Sequence, residues 1–187
     1  MTTGTGGMIT TDSDELNEFA RSVRCHGRGE AGLSDVTNLG NDWFMDEVRA
    51  VIGLHQMLDL DDMIAKRRMI ALSYTEQLKD VNKVKVLPIP GDSNPSYYKF
   101  PVLLDEEIDC ARFKQLFLEK YNIELESVYW PTCHLQPLYR NMFGYKEGDF
   151  PTAERLLSRQ MTLPIHPLIE DKDIDYLVSK LKAEICA

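Results

Sequence analysis

Val84-Lys85-Val86-Leu87, followed eleven residues later by Tyr98-Lys99-Phe100-Pro101-Val102-Leu103-Leu104, is the stretch on which the fold turns. Apolar and polar residues alternate through both runs, the period of a half-buried strand. Pro88 to Pro95, with Gly91-Asp92-Ser93-Asn94 inside it, reads as the turn between them. Pro101 cannot donate to a ladder, which predicts an edge position or a bulge for the second strand. Working toward the C-terminus, the sequence predicts a helix from Asp109 to about Tyr121 and a short strand at Ser127 to Trp130. A long loop from Pro131 to Phe150 follows, then a helix opening at Pro151, a residue favoured in the first helical turn. Met161 to Ile165 reads as a strand. Asp171 caps a last helix with Ile174, Leu177, Val178 and Leu181 on one face. The order β-β-α-β-loop-α-β-α predicts a small α+β layer with its helices on one face of the sheet.

Working toward the N-terminus, two helices precede the strand pair. One takes its N-cap from Asp59-Leu60-Asp61-Asp62 and runs to about Leu78; its Lys66-Arg67-Arg68 run reads as a solvated face. The other runs from Phe44 to about Leu58. It is apolar on more than one side, which predicts burial between layers, with His55 packed inside. Further back, Leu16, Phe19, Ala20 and Val23 recur at helical spacing, with Asp12 and Glu15 placed as an acidic capping box and Arg24 near the end. Cys25 to Gly32 is a glycine-rich loop, and Met8 to Thr11 is a strand candidate after Gly4-Thr5-Gly6-Gly7.

The 187 residues carry a formal charge of −9, with 43% hydrophobic and 27% charged residues, a globular composition. An acidic surface repels phosphate backbones, so a nucleic-acid partner is not expected. No run is long and apolar enough for a membrane span, and Met1 to Thr11 has neither part of a signal peptide. Cys25, Cys110, Cys133 and Cys186 form no Cys-x-x-Cys pair and read as reduced thiols of a cytoplasmic protein.

Three features offer chemistry. Gly4 to Gly7 could turn backbone amides toward a phosphate, although no strand precedes it as the P-loop and dinucleotide motifs require. His26, His55, His134 and His166, with the cysteines, stand at no metal-ligand spacing. Tyr129-Trp130-Pro131-Thr132-Cys133-His134-Leu135-Gln136-Pro137-Leu138-Tyr139 gathers aromatics, prolines, an imidazole and an amide, a mixture suited to a rigid, semi-polar wall beside a ligand or to a surface loop held by its own aromatics.

Four segments, in order, resemble the C-terminal half of the DegT/StrS family of pyridoxal-phosphate enzymes, mostly nucleotide-sugar aminotransferases. Thr2 to Thr11 resembles the strand pair after that family's Schiff-base lysine, and Arg24-Cys25-His26-Gly27-Arg28 its Arg-Asn-His-Gly-Arg element. Leu39 to Glu47 is similar to its Gly-x-Asn-x-Arg-Met-x-Glu segment, with Gly53 to Leu60 similar to the helix behind it. Val128 to Tyr139, Gly148 to Glu154 and Thr162 to Pro167 resemble its C-terminal signature. The resemblance implies an α/β fold, α+β in its C-terminal part: residues 1–40 from the end of the large domain of a fold-type-I transferase, 41–80 connecting helices, and 81–187 the small domain. It implies a cytoplasmic homodimer that takes pyridoxal phosphate, a nucleotide sugar and an amino-acid donor. Tyr129, Pro131 and His134 fall on the stretch that borders the sugar-nucleotide pocket.

The resemblance also brings departures. Counting along the motif, the lysine falls two positions before Met1, so no residue here is assigned a catalytic role and the chain alone is expected to be inactive. A dehydratase branch of the family has histidine at that position, and a free-standing dimerisation or ligand-binding domain is a third, non-enzymatic reading. The family's glutamate after the first glycine is Thr5, and its arginine is Phe44. Its cofactor-binding asparagine aligns with Asp42, with Asn41 one residue earlier. A carboxylate beside a phosphate is repelled, so Asp42 is protonated, turned away, or no longer a contact; Asn41 substitutes only if the loop shifts.

Overall fold

The computed structural model describes residues 1–29 and 35–186. Gly32, at the end of the predicted glycine-rich loop, lies outside the described residues. The chain divides into two compact units, Met1–Asp61 and Asp62–Ala187.

The second unit is built on a three-stranded antiparallel sheet in the order β1-β2-β3: β1 (Val84–Val86), β2 (Phe100–Leu104) and β3 (Gln160–Leu163). Val84 pairs with Leu104 and Val86 with Val102; Phe100 pairs with Leu163 and Val102 with Met161. The apolar residues of this register share one face. They join Ile70, Ala71, Tyr74 and Leu78 of α3 (Leu60–Leu78), Phe113 and Phe117 of α4 (Cys110–Tyr121), and Ile174, Leu177, Val178 and Leu181 of α7 (Asp171–Cys186) in one core. Helices on one sheet face are thus as the order of elements predicts. Burying a Phe or Leu contributes about 1.5–3 kcal/mol each relative to exposure, so this face dominates the stability of the unit. Tyr74 packs against Phe100 with ring centroids 5.3 Å apart and the rings tilted by 39°, and it donates its hydroxyl to the carbonyl of Pro164 at 2.9 Å. Burial pushes its phenol well above the ordinary tyrosine range.

Pro101 sits in the central strand, against the expectation of an edge strand. The register explains it. The amide of Thr162, its cross-strand neighbour, donates to Glu126 on the far side of β3, so Pro101 and Thr162 exchange no bonds. The Pro101 nitrogen therefore faces the β1 side, where β1 has ended at Val86. β2 is central as a strand but an edge at that one residue.

The helix starts follow from their caps. The Asp109 carboxylate accepts from the amides of Ala111 and Arg112, both at 3.0 Å, and α4 ends at Asn122 in the left-handed region (φ 54°). Two segments depart from the reading. Ser127–Trp130 is not a strand; only Glu126 forms an isolated bridge, to Thr162. The expected loop 131–150 holds a 3₁₀ turn (Cys133–Leu135) and α5 (Pro137–Phe143), before α6 (Pro151–Leu157).

Lys66-Arg67-Arg68 is not a solvated face. Only Lys66 is exposed. Arg67 Nη1 donates to the carbonyls of Tyr97 (3.1 Å) and Ile165 (2.9 Å), and more distantly to Tyr98 (3.5 Å); Arg68 Nε donates to that of Pro95 (3.2 Å). Two guanidiniums thus tie the turn before β2, and one of them also the segment after β3, to α3.

The first unit contains α1 (Asp14–Arg24) and α2 (Glu47–Leu58). α1 is capped by Ser13, whose hydroxyl accepts from the Leu16 amide at 3.2 Å, rather than by Asp12. α2 starts at Glu47 after Asp46, which accepts from the Arg49 amide at 2.9 Å, so Phe44 lies before the helix. Met8–Thr11 forms no ladder among the described residues. The predicted burial of α2 is not met within this unit: it holds no buried residue, Val48 is 72% exposed, and His55 is exposed. Gly27 (φ 76°) makes the tightest approach, since a Cβ there would stand 1.7 Å from the Asn38 carbonyl oxygen.

Candidate functional site

The loop singled out by composition is fastened at three points. Before it, the Val128 amide donates to Gln160 Oε1 at 2.9 Å. Within it, Gln136 Nε2 donates to the Pro131 carbonyl at 3.0 Å, folding the 3₁₀ turn back on the segment that enters it. At its base, His134 Nε2 lies 2.9 Å from Glu154 Oε1. Between these ties stand Tyr129, 73% exposed with φ 58°, and Trp130, 41% exposed, joined by a cis peptide bond to the exposed Pro131.

His134 is more enclosed than a ligand-facing wall residue needs to be. Its ring lies 4.7 Å from that of Phe150 and meets Tyr145 edge-on at 6.3 Å. Its partner Glu154 is the residue that sequence reading passed over. Both Glu154 oxygens accept from the Gly148 amide (3.0 and 2.9 Å), and Oε1 also accepts from Phe150 at 3.1 Å. The Gly148 amide, helped by Phe150 and His134, holds this carboxyl below the usual carboxylate range. The glutamate is therefore ionised at neutral pH, and the shared proton belongs on His134 Nε2. Its position in α6, four residues after Phe150, was the available signal: a glutamate there can reach back to the amides that open the helix.

The first unit offers a cleft of ≈ 760 Å³. Gly6 and Gly7 form part of its wall, with Arg21, Arg24, Phe44 and Arg49, and the described residues lining it include no Asp, Glu or Lys. Its cations are partly engaged: Arg21 donates to Asn17, Arg49 pairs with Asp46, and the Arg24 guanidinium lies 5.5 Å from the Phe44 ring centre. Asp42, the residue aligned with the family's cofactor-binding asparagine, and Asn41 before it are not in the lining. Asn41 spends its side-chain oxygen on the Asp42 amide (2.8 Å), and Asp42 is exposed, its backbone bridged to Cys25. Among the described residues the Asp42 carboxylate has no ion pair.

A smaller recess of ≈ 460 Å³ in the second unit is bordered by Tyr98, Asn122, His166 and the ion pair of Lys99 with Glu126. Among the described residues no His, Cys, Asp or Glu cluster could hold a metal, and no helix is long and apolar enough to cross a membrane.

The geometry has close relatives. An uncharacterized protein of Methanocaldococcus jannaschii, MJ1066, is 32% identical over 97% of this chain and 50% of its own length. The dTDP-4-amino-4,6-dideoxy-D-glucose transaminase of Escherichia coli is 28% identical over 86% of this chain and 43% of its own. The crystal structure of a DegT DnrJ EryC1 StrS aminotransferase from Brucella abortus superposes with a TM-score of 0.82 at 28% identity, covering 95% of this chain and 45% of that one. The chain spans about half the length of the curated relatives it matches. Its mixed architecture is thus that of one half of a fold-type-I sugar aminotransferase. The DegT/DnrJ/EryC1/StrS aminotransferase family model matches residues 1–182, and the chain belongs to that family.

Proposed function

We propose that this chain forms the C-terminal part of a pyridoxal-phosphate-dependent nucleotide-sugar aminotransferase. Residues 1–40 close its large domain, 41–80 connect, and 81–187 make the small domain. The observation that carries the reading is the end-to-end likeness to half of a sugar-aminotransferase chain, combined with two exposed aromatics on a loop tied at three points. The substrate is a nucleotide sugar, bordered by Tyr129, Pro131 and the turn that His134 anchors. The complete enzyme works as a cytoplasmic homodimer and takes its nitrogen from an amino-acid donor.

The residues present do not fit the cofactor's covalent attachment. When bound, pyridoxal phosphate supplies the carbonyl and the electron sink of transamination. The cleft beside Gly6 and Gly7 has the positive charge a phosphate needs and no lysine in its lining. The Asn41 side-chain oxygen is engaged with the Asp42 amide, and the Asp42 carboxylate repels a phosphate. The lysine comes from outside residues 1–187, and this chain alone does not transaminate.

The test is incubation of the chain with pyridoxal phosphate, borohydride reduction and peptide mapping. The expected outcome is no stoichiometric pyridoxyl-lysine. A single lysine labelled to completion, with amino transfer to a keto-sugar nucleotide, overturns the reading of inactivity.

A further inference from the structure

The geometry points to Glu154 as a positioning residue that, through His134, sets the attitude of Tyr129 and Trp130 toward a ligand. The naming of that ligand as a nucleotide sugar rests on the reading above.

One carboxylate gathers three pieces of chain. Its oxygens take the Gly148 and Phe150 amides, which fix the turn before α6, and the Nε2–H of His134, which fixes the 3₁₀ turn. The side chains are 14% exposed for Glu154 and 8% for His134, so the pair is shielded from the water that weakens surface ion pairs. A charge-assisted bond of this kind is short and directional, and it orients the imidazole plane. Phe150 and Tyr145 close on that ring from two directions and block its rotation.

The consequence reaches residue 129 through the backbone. With His134 fixed, Cys133–Leu135 is fixed, and Gln136 holds the Pro131 carbonyl from the far end of the same turn. The segment from Val128 to Pro131 is then clamped at both ends. Inside the clamp, Tyr129 adopts φ 58°, a left-handed conformation that is unfavourable for a non-glycine residue and persists only when the surroundings over-determine it. Two aromatics, Tyr129 largely and Trp130 partly in water, stand on an otherwise fastened loop. The backbone beneath these aromatics is thus ordered before binding, which lowers the ordering cost of stacking on a ring or nucleobase.

The experiment uses the full chain carrying Trp43→Phe, so that Trp130 is the single tryptophan. Time-resolved anisotropy of Trp130 reads the clamp without ligand, and titration with dTDP-glucose reads the platform. Glu154→Gln is expected to shorten the local correlation time of Trp130 at least twofold and to weaken dTDP-glucose binding at least tenfold. His134→Gln, which can still offer an N–H to the carboxylate, is expected to fall between that variant and the parent. Tyr121→Phe removes the hydroxyl bonded to Glu184 elsewhere in the same unit. It lowers the melting temperature while leaving Trp130 anisotropy and binding unchanged, which separates positioning from general destabilisation. Parent-like anisotropy in Glu154→Gln overturns the inference, as does an equal change in Tyr121→Phe. A parent that ignores dTDP-glucose overturns the nucleotide-sugar reading, while the anisotropy comparison still decides the positioning role.

Discussion

The two units answer the same kind of sequence in opposite ways. Between Ile70 and Leu181 the apolar residues converge on one face of a small sheet, and residues such as Phe117, Val102 and Met161 are wholly enclosed. Between Met1 and Asp61 the helices are as well capped, yet Phe19, Trp43, Phe44, Val51 and Leu54 each leave about half or more of their surface in water. The described residues of that unit bury only Ser22 and Gly27. Local signals are thus enough to make a helix, but a core needs a second layer. The second unit carries its own layer, and the first does not.

The sharpest test of this contrast is a pair of truncations. Phe117→Ala removes a side chain with no exposed surface from the centre of the core and is expected to destabilise the second unit by about 3–5 kcal/mol, read as a shift in denaturant midpoint. Val51→Ala, from a side chain half in water, is expected to change stability by about 0.5 kcal/mol or less. Similar losses for both would break the comparison. Next in size is Gly27→Ala. The new methyl cannot coexist with the Asn38 carbonyl and must be held at φ 76°, so a loss of about 1–3 kcal/mol is expected, confined to the first unit. Hydrogen exchange at the Thr37 and Asn38 amides, both bonded to the Gly27 carbonyl, is the measurement. If those amides stay protected, the approach at Gly27 is not what holds that loop.

The smallest expected effect is a pH dependence confined to the second unit. Glu154 and Glu184 are held below the usual carboxylate range, the first chiefly by the Gly148 amide and the second chiefly by Lys120. A depressed folded-state pKa stabilises fully above the unfolded value, about 4.3 for glutamate, and the stabilisation is lost as pH falls through the folded value. The second unit should therefore weaken in acid below about pH 4. Glu154→Gln with Glu184→Gln should flatten that limb. An unchanged acid limb in the double variant would remove both carboxylates from the account.

How much of this was legible in the sequence depends on the reach of each signal. Asp109 announced α4, and Ile174, Leu177, Val178 and Leu181 announced the buried face of α7, because caps and periodicity act within one or two turns. α5 was hidden because Pro137–Phe143 is too short to show a period. Its one signal was a proline at the first helical position, the same signal that located α6. Arg67 and Arg68 read as a charged surface because the carbonyls they meet lie 27 to 98 residues away. His134 stood out by composition, but its partner is 20 residues on, across a turn with no periodicity. Pro101 was legible as a residue that cannot pair. That β1 stops where it does is a fact about the neighbouring strand.

Arg67 carries a consequence for how this scaffold tolerates change. Each acceptor it meets, at Tyr97, Tyr98 and Ile165, is a main-chain carbonyl. Such a bond is blind to side-chain identity, because every residue type offers the same oxygen. Among the three, the exposed Tyr98 can therefore exchange its side chain without loosening the anchor, whereas Ile165 and Tyr97 are also held by the core. Conformation there is held from α3 by Arg67 with Arg68 and Tyr74, and the chemistry displayed at an exposed position such as Tyr98 is left free to diverge.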